Sequence, residues 1–185
     1  MIESRVLTPP AYLNEVKRDN DSNSSEKISL TWREIGRNFI YLFGPIQGSL
    51  DWQKDAMEII HSLNPDLQII SPRRLEENQE EYSHKKKLEQ ISWERYHMEK
   101  TWRRGVSMFW LPKESEHIDG RSYAQTSRFE LGESKIRHEV SYSKLVVGIE
   151  EGFSGENYIR NILSKDCQDV PIRDSLKETC KEAVD

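Results

Sequence analysis

Phe39-Ile40-Tyr41-Leu42-Phe43 is a short apolar run stopped at once by Gly44-Pro45. It is too short for a helix and shows no polar alternation, so it reads as a strand buried on both faces. Downstream of it, Trp52, Ala56, Ile59, Ile60 and Leu63 share one helical stripe between Asp51 and Leu63. Leu67 to Ser71 reads as a second strand, ended by Pro72. Leu88, Ile91, Met98 and Trp102 repeat the helical spacing up to Arg104. Val106 to Leu111 is a third strand, ended by Pro112, and a helix through Phe129-Glu130-Leu131 follows. Leu145 to Ile149 is a fourth strand. Ser175 with Glu178 three residues on is a capping box that opens a last helix to Val184. Apolar strands alternating with amphipathic helices predict an α/β domain, with a parallel sheet of about five strands covered on both faces. Ligands of such sheets bind at the carboxyl ends of the strands, where the strand order reverses. The loops after Phe43, Ser71, Leu111 and Ile149 are therefore the places to look.

Upstream of the first strand, residues 1–28 read as a lead-in and 29–185 as the domain. Thr8-Pro9-Pro10 cannot continue a helix, and the polar run from Asp19 to Ser25 has nothing to bury. The chain has 185 residues, 35% apolar and 32% charged, which suits one domain with much polar surface. A net charge of -5 argues against a general nucleic-acid coat protein and leaves room for a small anionic ligand. No stretch has the length of a membrane span, and no signal peptide follows Met1. Cys167 and Cys180 have no metal-ligand spacing and read as reduced thiols of a cytoplasmic protein.

Three segments could carry chemistry. Gly44-Pro45-Ile46-Gln47-Gly48 would let a backbone approach a sugar or phosphate beside a helix N-terminus, or would simply make a tight strand-to-helix turn. Phe129-Glu130-Leu131-Gly132-Glu133 sets Glu130 between two large apolar residues, a place for a partly buried carboxylate, with Glu133 as its competitor. Trp93-Glu94 could set an aromatic floor and a carboxylate against a ring-shaped ligand, or Trp93 could be core and Glu94 surface. Glu94 with His97 three residues on matches half of a di-iron carboxylate site, but the second copy is missing, so no metal is expected. Lys85-Lys86-Lys87 reads as a solvated helix start.

The order of the pieces resembles the nucleoside 2-deoxyribosyltransferase-like family. The pieces are the Thr-Pro-Pro lead-in, Ile40-Tyr41-Leu42-Phe43-Gly44-Pro45, Asp51-Trp52-Gln53, Gln90-Ile91-Ser92-Trp93-Glu94, Phe109-Trp110-Leu111-Pro112, Phe129-Glu130-Leu131-Gly132 and Val147-Gly148. They span roughly residues 5 to 163. The resemblance implies a flavodoxin-like three-layer sandwich, no cofactor, and a double displacement at a nucleoside or nucleotide. In it, Glu130 attacks the anomeric carbon as the base leaves, and a second base or water then takes the sugar. Tyr41 matches a tyrosine that orients this nucleophile, which predicts a hydrogen bond of about 2.6–3.2 Å between them, or somewhat looser without ligand. Gly44, Pro45, Gln47 and Gly48 would line the substrate, with Glu94 or Trp93 on the other wall.

The resemblance also implies a homo-oligomer in which a neighbour helps to build each site. Trp102, Trp110 and Tyr123 are aromatics available for such an interface. Two features depart from the family pattern. Arg103-Arg104-Gly105 stands where relatives carry an acid before the third strand. Near the nucleophile, Asp119 is distant and Gln125 neutral. Both point away from transfer between free nucleosides. Arg103, Arg104, Arg121 and Arg128 could serve a phosphate-bearing ligand, or be solvated charge. Hydrolysis of a nucleotide or a dinucleotide such as NAD is the nearest alternative to transfer, and a non-catalytic nucleotide-sensing module is a third reading.

Overall fold

β2 (Phe39–Phe43) is buried at all five positions, as its uninterrupted apolar run predicts. The computed structural model describes residues 5–9, 39–73 and 84–185; the polar run from Asp19 to Ser25 lies outside them. Around β2 the chain lays down β1 (Val6–Leu7), β3 (Gln68–Ile70), β4 (Val106–Leu111), β5 (Lys144–Ile149) and β6 (Ile172–Arg173). The helices are α1 (Trp52–Leu63), α2 (His84–Arg104), α3 (Gln125–Ser141), α4 (Glu156–Asp166) and α5 (Leu176–Val184). The strands form one six-stranded sheet in the order β1-β3-β2-β4-β5-β6. Every pairing is parallel. This is an α/β three-layer sandwich of flavodoxin type.

Alternating side chains send β2 into two cores. Phe39, Tyr41 and Phe43 join Met98 and Trp102 of α2, Leu131 of α3 and Leu163 of α4. Ile40 and Leu42 join Trp52, Ala56 and Ile60 of α1 with Cys180 and Ala183 of α5. Burying each such large side chain is worth roughly 1.5–3 kcal/mol before chain entropy is counted. Both cysteines are free and buried. The edges are two-residue strands, and the lead-in supplies one of them: Val6 and Leu7 pair with Ile69 and Ile70.

Helix ends follow local chemistry. Asp51 caps α1 by accepting from the Lys54 amide at 3.3 Å. Ser175 caps α5 by accepting from the Glu178 amide at 3.3 Å, while its hydroxyl donates to the Glu178 carboxylate. α2 departs from expectation. It starts at His84, earlier than Leu88, and its stripe is only half used: Met98 and Trp102 are buried, whereas Leu88 and Ile91 are exposed. A 21-residue helix is ~31 Å long at ~1.5 Å per residue. The six residues of β4 cover only ~20 Å at ~3.3 Å each. One end of the helix therefore overhangs the sheet.

The chain turns left from β2 to β3 and then crosses right to β4, so the strand order reverses between β2 and β4. The loops after Phe43 and Leu111 meet there. The Ser115 amide and hydroxyl both donate to the Gly48 carbonyl, at 2.8 and 3.1 Å.

Candidate active site

Tyr41 sits at the centre of β2, buried, on the face covered by α2 and α3. Its ring centroid lies 4.2 Å from that of Phe43, which stacks on Phe109 at 4.5 Å. Burial first, then the carboxylates of Glu94 and Glu130, push the phenol well above its ordinary range. It stays protonated at neutral pH and can donate a hydrogen bond. Its register partner on β4 is Ser107, whose side chain shares its face. Ser107 is buried, and its hydroxyl has no hydrogen-bond partner among the described residues.

Glu130 lies in the second turn of α3 and is half-buried. Its carboxyl is raised to about 8, by burial first, then by Glu94 and by Glu133, with Arg95 acting the other way. The cause is a crowd of like charges in a poorly solvated place. Glu94 reaches the cluster from α2 and accepts from Gln90 Nε2 at 2.8 Å. Glu133, one turn beyond Glu130, pairs with Arg95 of α2 at 2.5 Å. Thus α2 and α3 contribute three carboxylates and one guanidinium whose charges act on one another, and two of them, Glu94 and Glu130, act on the phenol of the central strand. The coupling of Tyr41 to Glu130 is coulombic, through space. Among the described residues, no direct hydrogen bond joins the two side chains; their coupling is through charge alone.

The glycine loop has a different surrounding. A Cβ on Gly44 would lie 2.2 Å from the Trp110 carbonyl oxygen and 2.6 Å from the Trp52 ring. One on Gly48 would lie 2.9 Å from the Glu116 carbonyl oxygen. The Pro45 carbonyl accepts from Trp52 Nε1 and from the Ser49 hydroxyl, both at 2.8 Å, and the Ile46 carbonyl accepts from Arg73 at 3.1 Å. The close approaches made at the glycines are thus to the chain's own backbone and rings, which is the tight-turn alternative. Gln47 is exposed. The bonds that hold the loop run to Trp52, Arg73 and Ser115.

Trp93 packs against the core, and its ring centroid is 4.0 Å from that of His97. His97 Nδ1 lies 2.8 Å from the Trp93 carbonyl oxygen, and burial holds the imidazole below its ordinary pKa. Of the wall expected from Trp93 or Glu94, it is Glu94 that meets the Glu130 cluster. Among the described residues no group of three His, Cys, Asp or Glu is placed to hold a metal ion.

Neither a protein-family model nor a curated protein matches this chain.

The arginines proposed for a phosphate do not converge. Arg103 and Arg104 end α2 at the start of β4, the far edge of the sheet from the crevice. Arg128 is spent on the Tyr123 and Ser154 carbonyls, at 2.5 and 2.8 Å. Arg121 is exposed in the loop before α3. The cation at the cluster is Arg95, which nothing in its neighbourhood of sequence marks, since its partner lies 38 residues away. Ser107 was equally silent, one serine in an apolar strand.

Proposed function

We propose that this chain makes and breaks the N-glycosidic bond of a nucleoside or nucleotide, with Glu130 as the carboxylate that meets the anomeric carbon. The observation that carries the reading is the half-buried Glu130 in the helix that covers the buried Tyr41, its carboxyl raised to about 8 by burial and by the charges of Glu94 and Glu133. Strongly shifted carboxyls in such settings are candidates for catalysis. As the bond to the base breaks, the anomeric carbon gains positive charge, and a cluster of carboxylates favours that charge. The ionised Glu130 oxygen bonds to the carbon, and the electron pair of the broken bond leaves on the base nitrogen. The departing base takes up a proton from water as it leaves. Attack by a second base or by water on the glycosyl ester then restores the carboxylate.

Only ionised Glu130 can attack, and its pKa is near 8. The rate limited by this step therefore rises with pH through about 8. Incubation with nucleosides, nucleotides and NAD tests the reading. Free base without an acceptor marks a hydrolase, and base exchange only with an acceptor marks a transferase. Binding without turnover marks a sensor and overturns the catalytic reading. Glu130→Gln keeps the shape, removes the nucleophile and is expected to lower turnover by at least about a hundredfold. Unchanged turnover would remove Glu130 from the mechanism.

A homo-oligomer in the cytoplasm completes the proposal. The aromatics first considered for an interface are used inside: Trp102 and Trp110 are buried, and Tyr123 bonds the Pro112 carbonyl at 2.8 Å. Exposed apolar side chains group instead on α3, where Phe129, Ile136 and Val140 are 67%, 58% and 73% exposed. Spaced by seven and four residues, they form one stripe beside Glu130. Among the described residues no helix is long and apolar enough to cross a membrane.

A further inference from the structure

We infer that Arg95 is a positioning residue for Glu130: by pairing with Glu133 across the α2–α3 contact, it engages the like charge one helical turn from Glu130 and sets a positive charge beside it. The inference rests on the reading of Glu130 as the working carboxylate.

The geometry comes first. Arg95 Nη1 lies 2.5 Å from Glu133 Oε2, with the two side chains 42% and 27% exposed. Glu133 stands one helical turn from Glu130, so the two carboxylates are neighbours on α3. The guanidinium also lies 5.5 Å from the centre of the Trp102 ring. That ring is fixed in turn, because Trp102 Nε1 donates to Ser134 Oγ of α3 at 3.1 Å. Arg95 is thus held by two groups tied to α3, while its own helix also carries Glu94, whose charge acts on Glu130 as well.

The charges around Glu130 are few enough to name. Tyr41 faces it from β2, Glu94 and Arg95 from α2, and Glu133 from its own helix. Glu99 faces Arg95, and the Arg137 guanidinium lies 5.1 Å from the centre of the Trp102 ring. Arg95 is the cation that opposes the carboxylates at Glu130. Loss of its charge removes an attraction and also frees Glu133, whose repulsion then falls on Glu130. The two effects add. A partly exposed ion pair acting only in stability would leave Glu130 unchanged.

The test follows the Glu130 carboxyl itself, by carbon-13 NMR titration of glutamate-labelled protein, with the signal assigned by its loss in Glu130→Gln. Arg95→Gln is expected to move the midpoint upward by about one pH unit or more. Arg95→Lys keeps the charge and is expected to restore most of the difference. Glu133→Gln removes the repelling group and is expected to move the midpoint downward, which keeps the inference testable if Arg95→Gln does not fold. An unmoved midpoint in Arg95→Gln, or in Glu133→Gln if only that variant folds, overturns the inference. The activity reading stands or falls separately. If the wild type turns over no nucleoside or nucleotide, that reading fails, while the titration still decides the role of Arg95. If it does turn over, the alkaline rise in kcat/KM shifts upward with the titration in Arg95→Gln.

Discussion

Glu130 carries a consequence for stability as well as for chemistry. Its folded carboxyl is raised from 4.5 to about 8, so between those values the native state holds a proton that the unfolded chain has lost. Stability linked to this group is therefore fully present below pH 4.5, declines as the pH rises, and is lost above about 8. Glu130→Gln is neutral at every pH and escapes that loss. The Tm of the variant relative to wild type should be near zero difference at pH 4.5 and should increase steadily to a positive plateau above pH 8. A difference independent of pH would mean that Glu130 is not held protonated in the native state. Loss of turnover with a gain in alkaline stability is the pattern of a carboxylate kept in an unfavourable place for its chemistry.

At the scale of elements, the loop between β2 and α1 separates packing from binding. Gly44 has φ +151 and its missing Cβ points at the Trp110 carbonyl and the Trp52 ring. Gly44→Ala is therefore expected to cost about 2–4 kcal/mol, from overpacking and a strained backbone together. The midpoint of urea unfolding reads this directly. A variant of unchanged stability that no longer bound nucleotide would instead restore the loop as a ligand cradle. Most elements were legible because their apolar period is long and clean: β2, α1, β4 and β5 fall within a residue or two of the sequence reading. Those that escaped lack such a signal. β1 and β6 have two residues each, too few for any period, and are strands only because neighbouring strands offer them hydrogen bonds. α4 buries a single side chain, Leu163, among polar residues.

At the scale of the molecule, the apolar stripe of α3 bears on assembly. Phe129, Ile136 and Val140 expose more apolar surface than their helix needs for its own core, and Tyr142 beyond the helix is 86% exposed. Ile136→Glu with Val140→Glu should turn an oligomer into a monomer without unfolding it, since neither side chain contributes to the core. Sedimentation of both proteins at micromolar concentration checks this, and a monomeric wild type would sink the assembly proposal.

The amino-acid sequence by itself determined the fold class. Runs such as Phe39 to Phe43 and Val106 to Leu111 can be buried only inside a covered parallel sheet, and that requirement is local to each segment. It also marked Glu130, Tyr41 and Glu94 as residues to examine. Only the tertiary structure decided how they act on one another. Glu94, Arg95, Glu130 and Glu133 come from two helices separated by the whole of β4, and their charges meet because α2 and α3 pack over Tyr41 on the same face of the sheet. Electrostatic coupling depends on distance and burial, which are properties of the packed molecule and have no counterpart in the order of residues.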